Sequence, residues 1–259
     1  MQGRDCWDAN GDHSMGGDHS MGGDDSMGGD DPMSSNGPMA GNEPMTGDAP
    51  MGAVAVAANT NLSLEGLGAA CAACRRCDLA EGRQQVVLSR GNPGARLMLI
   101  GEAPGAQEDA SGLPFVGRAG QLLDQLLAGV NLDSNRELYI CNVVKCRPTN
   151  NRKPTGAEMA ACRPWLDRQI SLVNPPLILL AGASALEGVL GIRGGITKLR
   201  GQWRQGSGDV LAGRWLMPLF HPSYLLRNGS EQQGSPRWLT RQDLQQVRSR
   251  LEQLEQRLE

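Results

Sequence analysis

Four short apolar runs, each leading into a polar loop, constrain this chain more than any other feature. Leu177-Ile-Leu-Leu180 is continuous rather than alternating, the pattern of a parallel strand covered on both faces. Arg96-Leu-Met-Leu-Ile100, the β-branched run Leu138 to Val144, and Trp215 to Phe220 read as three more strands. Helical patterns lie between and around them. Leu62, Leu64 and Leu67 suggest a short helix, and the leucines of Gln121 to Leu127 recur at helical spacing. Thr155-Gly-Ala-Glu158 is a capping box opening a helix to about Val173, which Pro175-Pro176 ends. Ala183 to Leu190 is a short helix, and Pro236 starts a last one carrying Leu244, Val247, Leu251, Leu254 and Leu258. This alternation predicts a three-layer α/β/α fold around a central, mostly parallel, four-stranded sheet. The three most polar loops, 101–120, 145–154 and 221–227, all follow strands, so they should converge on one edge of the sheet, where such folds bind ligands.

The first 60 residues do not share this pattern. Methionine recurs every six residues from Met15 to Met51, and the segment has no Leu or Ile until Asn61 is passed. Such a stretch buries too little to offset the entropy of ordering, so residues 1–60 read as a disordered acidic tail and linker, and 61–259 as the folded domain. Soft-metal binding by the methionines with His13 and His19 is the functional alternative for the tail. The overall charge of -3 divides unequally: the tail has ten acids and one base, the rest 18 acids and 24 bases. A modestly basic folded part suits a polyanionic partner. With no apolar run of membrane-spanning length and no secretory pattern at the N-terminus, the expectation is a cytoplasmic protein, acting as a monomer.

The segment Gly101 to Gly120 contains five glycines, two prolines, three carboxylates and one of the two phenylalanines of the chain. Plain connections are shorter, so this one reads as part of a site rather than a solvated surface loop. The cysteines add a second signal. Cys74 and Cys77 form C-x-x-C, Cys71 and Cys74 form another, and Cys146 and Cys162 follow far downstream. Four thiolates from two distant pairs can hold a structural zinc or an iron–sulfur cluster, and spacing alone does not choose. Cys141, within a strand, and Cys6, in the tail, read as inert.

Together these motifs resemble the family 4, iron–sulfur type, uracil-DNA glycosylases. The resemblance runs from about Leu62 to Leu244 on five segments in order: C-R-R-C-D-L at 74–79; G-E-A-P-G with E-D, P-F-V-G and A-G through 120; Asn142-Val-Val-Lys-Cys-Arg-Pro148 with Asn151-Arg152; Cys162; and His221-Pro-Ser-Tyr224. The resemblance implies a [4Fe-4S] cluster on Cys74, Cys77, Cys146 and Cys162, with Cys71 an extra thiol nearby. It implies uracil-containing DNA, single- or double-stranded, as the partner, and a monofunctional enzyme that hydrolyses the N-glycosidic bond and leaves an abasic site.

The chemistry this implies can be assigned residue by residue. The base must be taken out of the stack into a pocket. Asn142 is the candidate for reading it, since an amide both donates to uracil O4 and accepts from N3–H. Phe115 matches the stacking residue, Gly101 and Ala103 bring backbone against the base, and Asn151 braces the site. His221 should donate to uracil O2 as a neutral imidazole. Ala103 stands where the family 1 enzymes carry a water-orienting aspartate, which leaves Glu102 and Glu108 as the two candidates for that role. Lys145, Arg147, Arg152, Lys153 and Arg227 suit phosphate contacts, and Tyr224 to Arg227 a wedge into the duplex. A related histidine-linked covalent mechanism is disfavoured, because residues 145–154 contain no histidine. A non-catalytic, metal-stapled nucleic-acid-binding module is the alternative from a different class.

Overall fold

The computed structural model describes residues 62–256. The methionine-repeat tail, its two histidines and Cys6 lie outside the described residues.

Helix α1 (Leu64–Ala72) starts at Ser63, whose Oγ accepts the Gly66 N–H at 3.2 Å. A two-residue strand, β1 (Arg90–Gly91), precedes β2 (Leu97–Gly101). The glycine-rich segment that follows is not all loop, for it contains the short helix α2 (Ala106–Ser111) before α3 (Arg118–Ala128). Then come β3 (Leu138–Asn142), α4 (Gly156–Val173), β4 (Leu177–Ala181), α5 (Ala183–Leu190), the two-residue β5 (Arg204–Gln205), β6 (Trp215–Leu219), α6 (Pro222–Arg227) and α7 (Pro236–Gln256). The capping box at α4 is formed in both directions: Thr155 Oγ1 accepts the Glu158 N–H and the Glu158 carboxylate accepts the Thr155 N–H.

The sheet has six strands in the order β1-β3-β2-β4-β6-β5. The central β3-β2-β4-β6 are parallel, as the apolar runs predict. The two edges, β1 and β5, are antiparallel additions that the four-strand expectation lacks. Each is only two residues long and polar, so neither carries a hydrophobic period to be read.

Alternate strand residues face opposite layers. Met98, Ile100, Tyr139, Ile178, Leu180 and Leu216 pack on one side with Leu67 of α1, Leu166 and Ile170 of α4 and Leu186 of α5. Leu97, Leu99, Ile140, Leu179, Met217 and Leu219 pack on the other with Leu123 and Leu127 of α3, Leu225 of α6 and Leu244, Val247 and Leu251 of α7. This is the three-layer arrangement. The chain leaves β2 toward β3 and returns across it to β4, so the order reverses between β2 and β4, the position where open α/β sheets leave a crevice at the carboxyl ends of their strands. Among the described residues, no helix is long and apolar enough to cross a membrane.

Candidate active site

That crevice is a cavity of about 400 Å³. Its lining includes Glu102, Ala103, Glu108, Phe115, Asn142, Asn151, Arg152, His221 and Arg227, so the three post-strand loops converge.

Asn142 ends β3 with its side chain buried, directly paired with Gly101, the last residue of β2. A Cβ on Gly101 would lie 2.4 Å from both Asn142 Oδ1 and Phe115 Cζ, so only glycine lets the amide and the ring meet there. Phe115 is held in the left-handed region at φ 55°, a conformation costing a side-chain-bearing residue roughly 1–2 kcal/mol. The loop is pinned around it: a Cβ at Gly120 would overlap the Phe115 carbonyl oxygen. Strain of this kind persists where surrounding structure over-determines a site. The Phe115 and His221 rings stand 5.9 Å apart, tilted by 33°.

His221 caps α6, and its Nδ1 accepts the Ser223 N–H at 3.1 Å, with Ser223 Oγ at 2.8 Å. A backbone N–H can only donate, so Nδ1 is unprotonated and the neutral ring carries its proton on Nε2. Burial, reinforced by Arg227, pushes the imidazole pKa down to about 4. The ring is therefore neutral at physiological pH and still a donor. Its NMR titration should have a midpoint near 4 rather than the usual value near 6.5; a midpoint at the usual value would show that the burial is lost in solution. The unfolded chain takes up this proton below about 6.5 and the folded one does not, so fold stability should decline as pH falls from about 6.5 towards 4.

The two glutamates differ in how they are used. Glu108 holds the glycine-rich segment together: Oε2 accepts the Gly105 N–H at 3.1 Å, and Oε1 accepts those of Val116 at 3.0 Å and Gly117 at 2.8 Å. The neighbouring Asp109 is buried and accepts the Gln84 and Gln85 N–H groups. Glu102 has a single side-chain bond, from Ser184 Oγ to Oε2 at 2.5 Å, leaving its other oxygen without a protein donor among the described residues. Ser184 and Ser223 were not singled out in the sequence. Ser184 had a signal, since Gly182-Ala-Ser184 is also a post-strand segment, at the point where strand order reverses.

The basic residues do not all stand where the sequence suggests. Arg147 donates to Asn151 Oδ1 at 2.8 Å, bracing an asparagine held in the left-handed region. Arg227 is exposed on the cavity wall. Arg152 is exposed but grips both oxygens of Glu158 at 2.8 and 2.6 Å, which holds that carboxyl down at about 2. Lys153 pairs with Glu187 of α5 at 2.7 Å. Lys145 is a correction: it is 1% exposed, with Nζ donating to the Asn142 carbonyl oxygen, so it faces the interior and is not available to a phosphate. The wedge reading also narrows. Leu225 is buried in the core, leaving Tyr224 and Leu226 of that turn toward the surface.

On the far side of β3, Cys71, Cys74, Cys77, Cys146 and Cys162 line one small, apolar pocket with Arg83, Lys145 and Trp165. Cys141 is not among them. Among the described residues every cysteine is a free thiol. Arg83 donates to Cys146 Sγ at 3.2 Å and to the Cys74 carbonyl at 2.8 Å, and Trp165 Nε1 donates to Cys74 Sγ at 3.3 Å. Burial pushes the Cys162 thiol up to about 12 and raises Cys71, Cys77 and Cys146 as well. Thiolates there need a cationic partner, as metal coordination would provide. Among the described residues, no three metal-ligating side chains converge closely enough to share one ion. The five sulfurs line one small pocket.

Residues 88–245 match the family model of the uracil DNA glycosylase superfamily. A type-4 uracil-DNA glycosylase of Thermotoga maritima is 48% identical over 160 residues, 61% of this chain and 81% of that protein. One from Sulfurisphaera tokodaii is 38% identical over 173 residues, 64% of this chain and 77% of the relative. A type-5 uracil-DNA glycosylase of Thermus thermophilus is 34% identical over 148 residues, 51% of this chain and 67% of the relative. With the strand-end cavity, its Asn142, Phe115 and His221, and the cysteine pocket behind them, these similarities place the chain in the uracil-DNA glycosylase superfamily, among the type-4 uracil-DNA glycosylases.

Proposed function

We propose that this protein removes uracil from DNA by hydrolysing its N-glycosidic bond, leaving an abasic site. The observation that carries the reading is the meeting in one cavity of a buried amide, an aromatic face and a neutral imidazole whose free nitrogen bears the proton. The flipped base lies on Phe115. The Asn142 amide donates to O4 and accepts from N3–H, a pairing that cytosine, with its amino group and unprotonated N3, does not offer. As the bond from C1′ to N1 breaks, its electron pair goes to the base, and the His221 Nε2–H donates to O2, where negative charge grows. A donor positioned in advance favours the transition state over the ground state. Water then adds to C1′.

Glu102 orients that water and takes its proton, because it has a free oxygen and is aimed by Ser184, whereas Glu108 is occupied by three backbone donors. Arg147 and Arg227, with the exposed part of Arg152, meet phosphates around the cavity, and Asn151 supports its wall.

Cys74, Cys77, Cys146 and Cys162 would hold a [4Fe-4S] cluster, which ties the segment after α1 to β3 and α4 and does no chemistry on the base. Four thiols around one apolar pocket, Cys146 and Cys162 buried and Cys74 and Cys77 half-buried, with N–H donors to two of the sulfurs, have the chemistry of such a ligand set.

The test is incubation of the cluster-loaded protein with an oligonucleotide carrying one uracil, single- and double-stranded, followed by alkali. Strand cleavage at the uracil, and none at cytosine or thymine in the same position, is expected. The absence of any alkali-labile site would sink the enzymatic reading.

A further inference from the structure

One turn of the chain holds both groups that the glycosylase reading places at the reacting bond. The turn leaving β4, Gly182-Ala-Ser184, is not among the residues lining the cavity, yet it reaches Glu102 on one side and His221 on the other. Ser184 is buried, and its hydroxyl donates to Glu102 Oε2 at 2.5 Å. A serine serving to cap α5 would stand at Gly182; this one lies two residues further on, with its hydroxyl used on a carboxylate from β2's end of the site. The Glu102 main chain is already fixed from the other side of β2, since its carbonyl accepts the Val144 N–H at 3.2 Å. The serine therefore removes the remaining freedom, that of the side chain. Gly182 has φ 93° and ψ 173°, a region that essentially only glycine enters. Its N–H donates at 2.9 Å to the carbonyl of Leu219, the last residue of β6. A Cβ on it would lie 2.9 Å from His221 Cβ and 3.4 Å from His221 Cδ2, so the absence of a side chain is what lets the histidine sit where it does.

We propose that Gly182 and Ser184 are positioning residues that register Glu102 and His221 against each other through this one turn. The proposal rests on the glycosylase reading above. In that reaction His221 acts on the departing base and Glu102 on the water that adds to C1′, so both must meet the same nucleotide, and a misplacement of about 1 Å in either is costly. The two come from β2 and β6, which do not pair with each other; β4 lies between them and pairs with both. The turn that leaves β4 is thus placed to set one against the other. Serine at 184 aims the carboxylate, and glycine at 182 fixes how closely the imidazole approaches.

The test is steady-state kinetics of the full, cluster-loaded chain on an oligonucleotide carrying one uracil. No turnover by the unsubstituted protein would sink the glycosylase reading itself. Given turnover, Ser184→Ala should lower kcat roughly tenfold with KM changed by less than about twofold. In a Glu102→Ala background the same substitution should lower kcat by less than about twofold, because no carboxylate remains to be aimed. Two substitutions of one shape isolate the hydroxyl: Ser184→Thr should keep kcat at least about threefold above Ser184→Val. Gly182→Ala should likewise lower kcat roughly tenfold, and by less than about twofold when added to His221→Ala, which has no ring to displace. A merely structural role predicts equal losses in each pair of backgrounds, and equal losses in either pair would overturn the proposal. So would Ser184→Thr and Ser184→Val proteins of equal kcat. If Gly182→Ala does not fold, the Ser184 variants decide.

Discussion

His221→Ala is expected to lower kcat roughly 10²–10³-fold while KM stays close to that of the unsubstituted protein. The ring is not needed to hold the base, which Phe115 and Asn142 do. Its Nε2–H is needed where charge develops, so its loss acts on the transition state. The substitution also removes the side-chain cap of α6, because His221 accepts the Ser223 N–H, at a cost of about 1 kcal/mol to stability. Steady-state kinetics at several pH values separates these effects. In the unsubstituted protein, kcat should not decline between pH 6 and 8, since the ring is already neutral with a pKa near 4. A loss of rate on raising pH through 6.5 would instead indicate that an imidazolium is required. Full activity of His221→Ala would remove this residue from the mechanism.

The second large effect distinguishes the glutamates. Glu108→Gln leaves one acceptor oxygen and turns an amide N–H₂ toward backbone donors that the carboxylate now satisfies at 2.8–3.1 Å. Charge-assisted bonds of this kind are worth about 1.5–3 kcal/mol each, so the midpoint of urea unfolding should drop by an amount corresponding to at least about 2 kcal/mol. KM should rise as the loop carrying Phe115 loosens. Glu102→Gln should do the reverse. Its only side-chain partner, Ser184, donates to an oxygen that glutamine keeps, so stability should change by less than about 0.5 kcal/mol. Its kcat should fall roughly 10²-fold, the scale of a lost general base. If Glu108→Gln abolishes turnover at unchanged stability, the assignments of the two residues must be exchanged.

The sequence by itself determined the framework and which loops meet at the ends of the strands. Continuous apolar runs such as Leu177 to Leu180 belong to strands covered on both faces, and hydrophobic period is a local property that survives without coordinates. Because such strands are parallel, their following loops share one edge, so Asn142, Phe115 and His221 could be placed together before any distance was known. The same local reasoning located the capping box at Thr155.

Tertiary structure alone decided what each polar side chain faces. Two residues of an edge strand, Arg90–Gly91 or Arg204–Gln205, have no period, and only pairing with β3 or β6 makes them strand. Lys145 stands in a row of basic residues that looks like a phosphate-binding loop, yet the turn after β3 directs it inward while Arg147 and Arg152 point out. The two glutamates are equivalent in composition and six positions apart, and only folding shows that one closes the loop through backbone N–H groups while the other meets Ser184, 82 residues away. The tautomer of His221 is likewise set by a backbone N–H two residues on, through a turn that the motif implies but does not orient. Residue type states which bonds a side chain is able to make; the partners that use them up are supplied by segments distant in sequence, and that is information a local pattern does not contain.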